Sequence, residues 1–147
     1  MADARYVVGI DLGTTNCVLA WVDTQMADAA EVVAYARTIP GLTVLALVPN
    51  FRGAENAIAA GAHKIALPLS ASETHSKANL RKTHSEVLDD VRRIAELLRS
   101  MPADKRPGFE GNVATAFGCT LEGAVPESKV VELAAALMEA GCDDIGL

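Results

Sequence analysis

The spacing of apolar and polar positions changes character near Gln25. Before it, Tyr6 to Ile10 and Cys17 to Val22 are short β-rich runs. They are joined by Asp11-Leu12-Gly13-Thr14-Thr15-Asn16, a turn-forming cluster, and the layout predicts an antiparallel hairpin. After it, helical and extended periods alternate. Met26 to Arg37 carries apolar residues at Met26, Ala29, Ala30, Val33 and Ala36, the spacing of an amphipathic helix ended by Pro40-Gly41. A strand is expected at Thr43 to Val48, a short helix at Gly53 to Ala60 closed by Gly61, and a buried strand at His63 to Leu69. Thr83 and Glu86 form a T-x-x-E capping box, in which each side chain satisfies an unpaired backbone donor of the first helical turn. The longest helix follows, with Val87, Leu88, Val91, Ile94, Ala95 and Leu98 on one stripe and Asp89, Asp90, Arg92, Arg93 and Glu96 toward water. Asn112 to Phe117 reads as a strand, Pro126 to Ala140 as a helix, and Asp144 to Leu147 as the start of another strand.

A faint internal repeat supports this order. Ala60 to Leu67 and Ala140 to Leu147 share Ala-Gly, Ile and Leu at matching positions, each at a helix-to-strand junction. Glycine there permits the left-handed backbone that ends a helix, and the apolar residues after it enter a strand covered on both faces. Repeated βα units imply parallel strands with right-handed crossovers, hence an α/β fold that is either an open doubly wound sheet or part of a (β/α)8 barrel.

With 147 residues, half of them apolar, the chain has material for one ordinary core. Its net charge of -6 offers no footprint for nucleic acid and is repelled by anionic membranes, so neither is an expected partner. Cys17, Cys119 and Cys142 are odd in number, widely spaced and free of any CxxC pair, which reads as reduced thiols rather than a disulfide frame or structural zinc. No signal-like or membrane-spanning run is evident, and the expected location is the cytoplasm.

The string Gly9-Ile10-Asp11-Leu12-Gly13-Thr14-Thr15-Asn16 is one candidate for chemistry. Backbone amides and Thr hydroxyls of such a turn can bend around phosphate oxygens, with Asp11 holding a magnesium shell. It resembles the first phosphate loop of the seventy-kilodalton heat-shock chaperone ATPases, and that resemblance implies ATP and magnesium at Asp11, Gly13, Thr14 and Thr15. The second phosphate hairpin and the adenosine pocket of that family find no match after Asp23. A plain β-turn whose Asp and Thr side chains satisfy local backbone groups accounts for the same residues.

The second candidate lies at expected strand ends: Val48-Pro49-Asn50, Leu69-Ser70-Ala71-Ser72-Glu73-Thr74-His75, and Thr115-Ala116-Phe117-Gly118-Cys119-Thr120-Leu121-Glu122-Gly123. In a (β/α)8 barrel the active site is built from C-terminal strand ends. From Gln25 onward these segments resemble 3-hydroxy-3-methylglutaryl-CoA lyase of the pyruvate carboxyltransferase-like superfamily. Val48-Pro49-Asn50-Phe51-Arg52-Gly53 looks like its third-strand region, Ser72-Glu73 with Lys77 and Asn79 like its S-E-x-x-x-K-x-N loop, and Gly118 to Gly123 like its G-C-x-x-E-G turn.

The resemblance implies a partial (β/α)8 barrel over residues 25–147, preceded by a hairpin segment over 1–24 with the join near Trp21 to Gln25. It implies cleavage of 3-hydroxy-3-methylglutaryl-CoA to acetyl-CoA and acetoacetate, an acyl-CoA substrate, and a divalent cation, Mg or Mn. The family's ligands are an Asp beside an Arg, an H-x-H pair and a later Asn, yet the chain has no R-D-G-x-Q and no H-x-H. Its mobile-loop cysteine has no counterpart either, because Cys119 belongs to a different turn. No catalytic residue or metal ligand is therefore assigned, and the expectation is a lyase fragment or chimera, inactive alone. Isopropylmalate and citramalate synthases stay open as parents.

The substrate-wall candidates are Asn50, Ser72, Glu73, His75 and Thr115. Capping accounts equally for Ser72 and Glu73, and turn or strand-end bonding for Asn50 and Thr115. Homocitrate synthase has a similar S-D-x-H string, which points His75 toward a substrate carboxylate; simple solvation is the competing account. His63 and His84 sit at element ends with no assigned role, and Lys77, Arg81 and Lys82 either meet CoA phosphates or form a solvated face. An opened barrel also exposes two sheet edges, so self-association is expected.

Overall fold

In the computed structural model, the described residues are 6–11, as backbone, and 29–147. The elements run β1 (Tyr6–Asp11), α1 (Ala29–Ala36), β2 (Leu42–Leu47), α2 (Phe51–Ala59), β3 (Lys64–Ser70), α3 (Glu73–Leu80), α4 (His84–Arg99), β4 (Gly108–Ala114), α5 (Glu127–Ala140) and β5 (Asp144–Gly146). The five strands form one parallel sheet in the order β1-β2-β3-β4-β5. A doubly wound sheet reverses its strand order at a switch point, and this one does not. The fold is a partial (β/α) barrel.

One core joins sheet and helices. Val44, Ala46 and Val48, then Ile65, Leu67 and Leu69, then Phe109 and Val113 present one face of the sheet. Against that face pack Val33, Ala54, Ala57, Val87, Val91, Ile94, Leu98, Leu133 and Leu137, all buried. Burial of apolar area on this scale is the main stabilising term, at about 25 cal/mol per Å². The capping box of α4 forms as expected: Thr83 N–H donates to Glu86 Oε2 at 2.8 Å and Glu86 N–H to Thr83 Oγ1 at 3.3 Å.

Three expectations need correction, and a fourth is not reached by the described residues. β1 lies parallel to β2, with Tyr6 opposite Leu42 and Asp11 opposite Leu47. The expected partner Cys17–Val22 and the residues Gly13, Thr14 and Thr15 lie outside the described residues. β4 begins at Gly108, four residues before the expected Asn112. Gly111 reads as a breaker in sequence, but here it lets α5 approach: a Cβ on it would stand 3.0 Å from Leu137 Cβ and from Cys142 Sγ. Helix α3 was not foreseen, since Glu73–Leu80 has almost no apolar stripe and is set by its cap. Asp90, expected to face water, is 8% exposed and pairs with Lys82 and, at 3.4 Å, with Arg93.

The internal repeat has a physical meaning. His63 N–H donates to Val44 O at 3.0 Å while its Nδ1 accepts from Val44 N–H at 2.9 Å. At the matching position Asp143 N–H donates to Phe109 O at 2.7 Å, and its Oδ2 accepts from Phe109 N–H at 2.8 Å. Each junction thus fastens the first residues of the preceding strand with one backbone and one side-chain bond.

Two outcomes test this description. Gly141 (φ +117°) ends α5, and a Cβ there would lie 2.6 Å from Ala95 Cβ, whereas Gly41 (φ +77°) faces open space. G41A is expected to lose about 1 kcal/mol for the left-handed backbone. G141A adds an overpacking cost of about 1–3 kcal/mol, read as a lower denaturant midpoint. The second concerns pH. Partial burial, and next the charge of Arg37, hold the His63 imidazole below its ordinary value of 6.5. The unfolded chain therefore takes up the proton first on acidification, so the stability His63 contributes is full above about pH 6.5 and falls as pH drops toward the folded value. His63→Asn, which keeps an acceptor without a titration, is expected to flatten that limb in pH-dependent melts.

Candidate functional site

The β3 and β4 ladder does not stop where the strands do. Ala71 N–H donates to Ala114 O at 2.7 Å, and Ser72 N–H then donates to Thr115 Oγ1 at 3.3 Å. Thr115 has turned into the left-handed region (φ +59°), which costs a β-branched residue about 1–2 kcal/mol and puts its hydroxyl, not a carbonyl, across from Ser72. Ser72 is fully buried and caps α3, its Oγ accepting from His75 N–H at 3.0 Å. The side chain of His75 folds back so that Nδ1 meets Ser70 Oγ at 2.7 Å. The Ser70 carbonyl accepts from His84 Nε2 at 2.8 Å, so that nitrogen carries the proton.

The turn after β4 closes on the same place. Cys119 and Gly123 exchange backbone bonds of 2.8 and 2.7 Å, and Glu122 Oε1 accepts from Thr74 N–H at 2.8 Å, a carboxylate set on the first turn of α3. Those bonds from Thr74 hold the Glu122 carboxyl below its usual range, and Lys77 at 3.0 Å does the same for Glu73. The Ser72 hydroxyl, followed by backbone donors of the turn, lowers the Cys119 thiol. Burial pushes Cys142 up to about 12. Between these elements opens a cleft of about 180 Å³ in which Glu73, His84, Glu122 and Lys129 surround Ala71, Val125 and Pro126.

Of the sequence candidates, Ser72, His75 and Thr115 meet in one hydrogen-bond network, and Glu73 lines the adjoining cleft. Asn50 stands apart, at the end of β2, where Oδ1 caps α2 by accepting from Gly53 N–H at 2.9 Å. Lys77 and Lys82 are committed to Glu73 and Asp90, so of that basic cluster only Arg81 lacks an ion pair among the described residues. Asp11 ends β1 beside Leu47, on the strand-end side where Asn50 lies. His84, Glu122 and Lys129 were missed. Glu122 sits inside the quoted turn and is fixed there by Thr74, but the nearness of His84 and Lys129 follows only from the packing of α4 and α5.

A metal does not fit what is described here: no group of three His, Cys, Asp or Glu able to hold one occurs among the described residues, and both cleft carboxylates are already engaged.

Parallel strands in sequential order, helices on one face and polar side chains gathered at C-terminal strand ends define a segment of a (β/α) barrel. The chain belongs to the HMGL-like family, whose model matches residues 17–147. It is similar to the cytoplasmic 3-hydroxy-3-methylglutaryl-CoA lyase of Rattus norvegicus, 38% identical over 127 residues, which is 86% of this chain and 36% of that protein. It is also similar to the hydroxymethylglutaryl-CoA lyase YngG of Bacillus subtilis, 34% identical over 86% of this chain and 41% of that one. Among solved structures, the Bacillus subtilis HMG-CoA lyase superposes on 98% of this chain and 46% of its own, with a TM-score of 0.77 and 29% identity. An HMG-CoA lyase from Acenitobacter baumannii, in complex with coenzyme A and 3-methylmalate, covers 92% of this chain and 41% of its own, with a TM-score of 0.76 and 30% identity. The chain thus spans well under half the length of the curated relatives it matches, and the family match begins at Cys17 rather than at the expected Gln25.

Ser72→Ala removes both the cap of α3 and the hydroxyl that lowers the Cys119 thiol. In a Cys17→Ser background, with Cys142 silent, the pH midpoint of Cys119 alkylation is expected to rise while stability falls by about 1 kcal/mol. An unmoved midpoint together with the stability loss would mean that Ser72 caps the helix and does nothing to the thiol.

Proposed function

We propose that the chain supplies part of the substrate wall of an acyl-CoA carbon–carbon lyase acting on 3-hydroxy-3-methylglutaryl-CoA, and that alone it binds without turnover. The observation behind this reading is the joined end of β3 and β4, where Ser72, His75 and Thr115 share one network inside a chain of the HMGL-like family. In the tautomer in which the Ser70 hydroxyl donates to Nδ1, His75 carries its proton on Nε2 and can offer it to a substrate carboxylate or thioester oxygen. Ser72 and Thr115 hold the backbone that carries it, Glu73 borders the cleft, and Asn50 forms the flank at β2. The coenzyme A named for the Acenitobacter baumannii structure supports a CoA thioester as ligand.

Scission of the carbon–carbon bond needs the divalent cation on which this metal-dependent family relies. No step is assigned to it here, because its ligand set is not found among the described residues. On this reading residues 1–24 and 25–147 are two segments, and β1 and β5, each paired on one side only among the described residues, are the edges through which copies associate. The ATP–magnesium reading through Asp11, Gly13, Thr14 and Thr15 rests on its string of residues alone, and the remaining alternative is an interaction fragment without chemistry.

Calorimetric titration separates these. Saturable binding of coenzyme A thioester, weakened about fivefold by His75→Ala for the loss of one hydrogen bond, is the expected result. ATP binding without CoA binding would move the assignment to the nucleotide module, and binding of neither would leave the interaction fragment. Manganese-dependent cleavage of 3-hydroxy-3-methylglutaryl-CoA by the isolated chain would overturn the claim that it is inactive alone.

A further inference from the structure

Three bonds leave the end of β3 for three different elements, and one of them falls where the sheet has run out. Ala71 N–H donates to Ala114 O on β4 at 2.7 Å. A trans peptide points its carbonyl opposite to its N–H, so the Ser70 carbonyl of the same peptide faces the β2 side. Among the described residues β2 offers it no partner. The pairing of β2 with β3 ends at Leu47 opposite Ala66, Val48 N–H donates to Ala66 O at 2.8 Å, and the chain then turns into α2 at Phe51. Ser70 is 1% exposed, and His84 Nε2, from the first turn of α4, donates to its carbonyl at 2.8 Å. The Ser70–Ala71 peptide is thereby held at both ends, by a strand on one side and by a helix on the other.

What hangs on that peptide is His75. On its near side Ser70 Oγ meets His75 Nδ1 at 2.7 Å, and on its far side Ser72 Oγ accepts from His75 N–H at 3.0 Å. Ser70 and Ser72 are buried, so neither hydroxyl has solvent as an alternative partner. A rotation of the peptide would swing both hydroxyls, and the imidazole with them. The cleft carboxylates do not compete for His84, because Glu73 pairs with Lys77 at 3.0 Å and Glu122 accepts from Thr74 N–H at 2.8 Å.

We infer that His84 is a positioning residue for the ligand site at the end of β3 and β4. It pins the Ser70–Ala71 peptide and, through the two serine hydroxyls, aims the Nε2 edge of His75. The inference rests on the reading in which His75 meets the acyl-CoA ligand. His84 acts through Ser70, its Nε2 proton being spent on the carbonyl. A brace that served the fold alone would supply a donor to Ser70 and nothing more, so its loss would cost stability and leave His75 as it was. Positioning instead makes the two histidines act as one unit, whose effects do not add.

Two readouts test this, one of them independent of any ligand. In alkaline buffer, ring-nitrogen NMR of the unaltered chain is expected to show His75 as one tautomer, with Nδ1 bare and Nε2 protonated. His84→Ala is expected to mix the two tautomers, and His84→Gln, whose amide brings a donor to the same carbonyl, to restore the single one. In calorimetry with acetyl-CoA, H84A is expected to weaken binding about fivefold when His75 is present and not at all on top of His75→Ala. His84→Leu, which keeps bulk without a donor, replaces H84A should that variant not fold. Mixed tautomers in the unaltered chain, unchanged His75 nitrogens in H84A, or equal losses of affinity with and without His75 overturn the inference and leave His84 a brace. A chain that binds no acetyl-CoA overturns the lyase reading instead, and the ring nitrogens alone then decide whether His84 aims His75.

Discussion

The seam between β3 and β4 is the constraint on which the rest of this structure depends. Seven residue pairs run from Lys64 opposite Gly108 to Ser70 opposite Ala114. The helix-facing side of the seam carries Ile65, Leu67, Leu69, Phe109 and Val113, all at most 1% exposed, and α4 and α5 lie on it. A parallel strand slipped by one residue turns its apolar set to the wrong face, so this burial alone fixes the register. That register in turn delivers Ser72 and Thr115 to each other one step past the last strand pair. The site is thus an extension of the ladder, with a hydroxyl in place of a carbonyl and a left-handed threonine as its cost.

The same seam explains how the polar groups of the cleft are engaged. Helix α3 starts immediately after Ser72, and its exposed first-turn donors must be satisfied. Ser72 takes His75 N–H and Glu122 takes Thr74 N–H, which removes one of the two cleft carboxylates from service; Lys77 takes the other. Histidines arranged around Ser70, one on its hydroxyl and one on its carbonyl, then brace the strand end. Groups used this way orient a ligand through hydrogen bonds.

Much of this architecture was legible in the residue pattern, and the exceptions have physical causes. The capping box at Thr83 and Glu86, the stripe of α4 and the glycine-ended junctions are local signals, and local signals survive folding. Strand β4 was displaced because Gly108 and Gly111 resemble punctuation, whereas their smallness serves packing against Lys64 and α5. Helix α3 is short and almost without an apolar stripe, so its cap and the capping contact from a turn more than forty residues away decide it. His84 illustrates the same limit for function. Its identity was visible, but its bond to the Ser70 carbonyl depends on how two helices cross one strand, and no spacing along the chain encodes that.

The sheet face turned away from the helices has a different logic. Leu45, Leu47, Lys64, Pro68 and Asn112 are half-buried there, and Lys64 Nζ reaches Glu110 at 2.8 Å on β4 and Asp144 at 2.7 Å on β5. Burial works to lower the Lys64 value, and its bonds to Asp144 and Glu110 outweigh that and hold it above the ordinary one. Partly exposed pairs of this kind contribute about 1 kcal/mol or less, so their weight lies in geometry rather than stability. One ammonium spanning three strands near their starts is compatible only with this stagger, the one that burial sets. Because parallel strands carry that stagger unchanged along their length, an error of one pair at Lys64 would reappear at the far end as a broken contact between Ser72 and Thr115. The polar device at one end of the strands and the hydroxyl network at the other are therefore two readings of a single register.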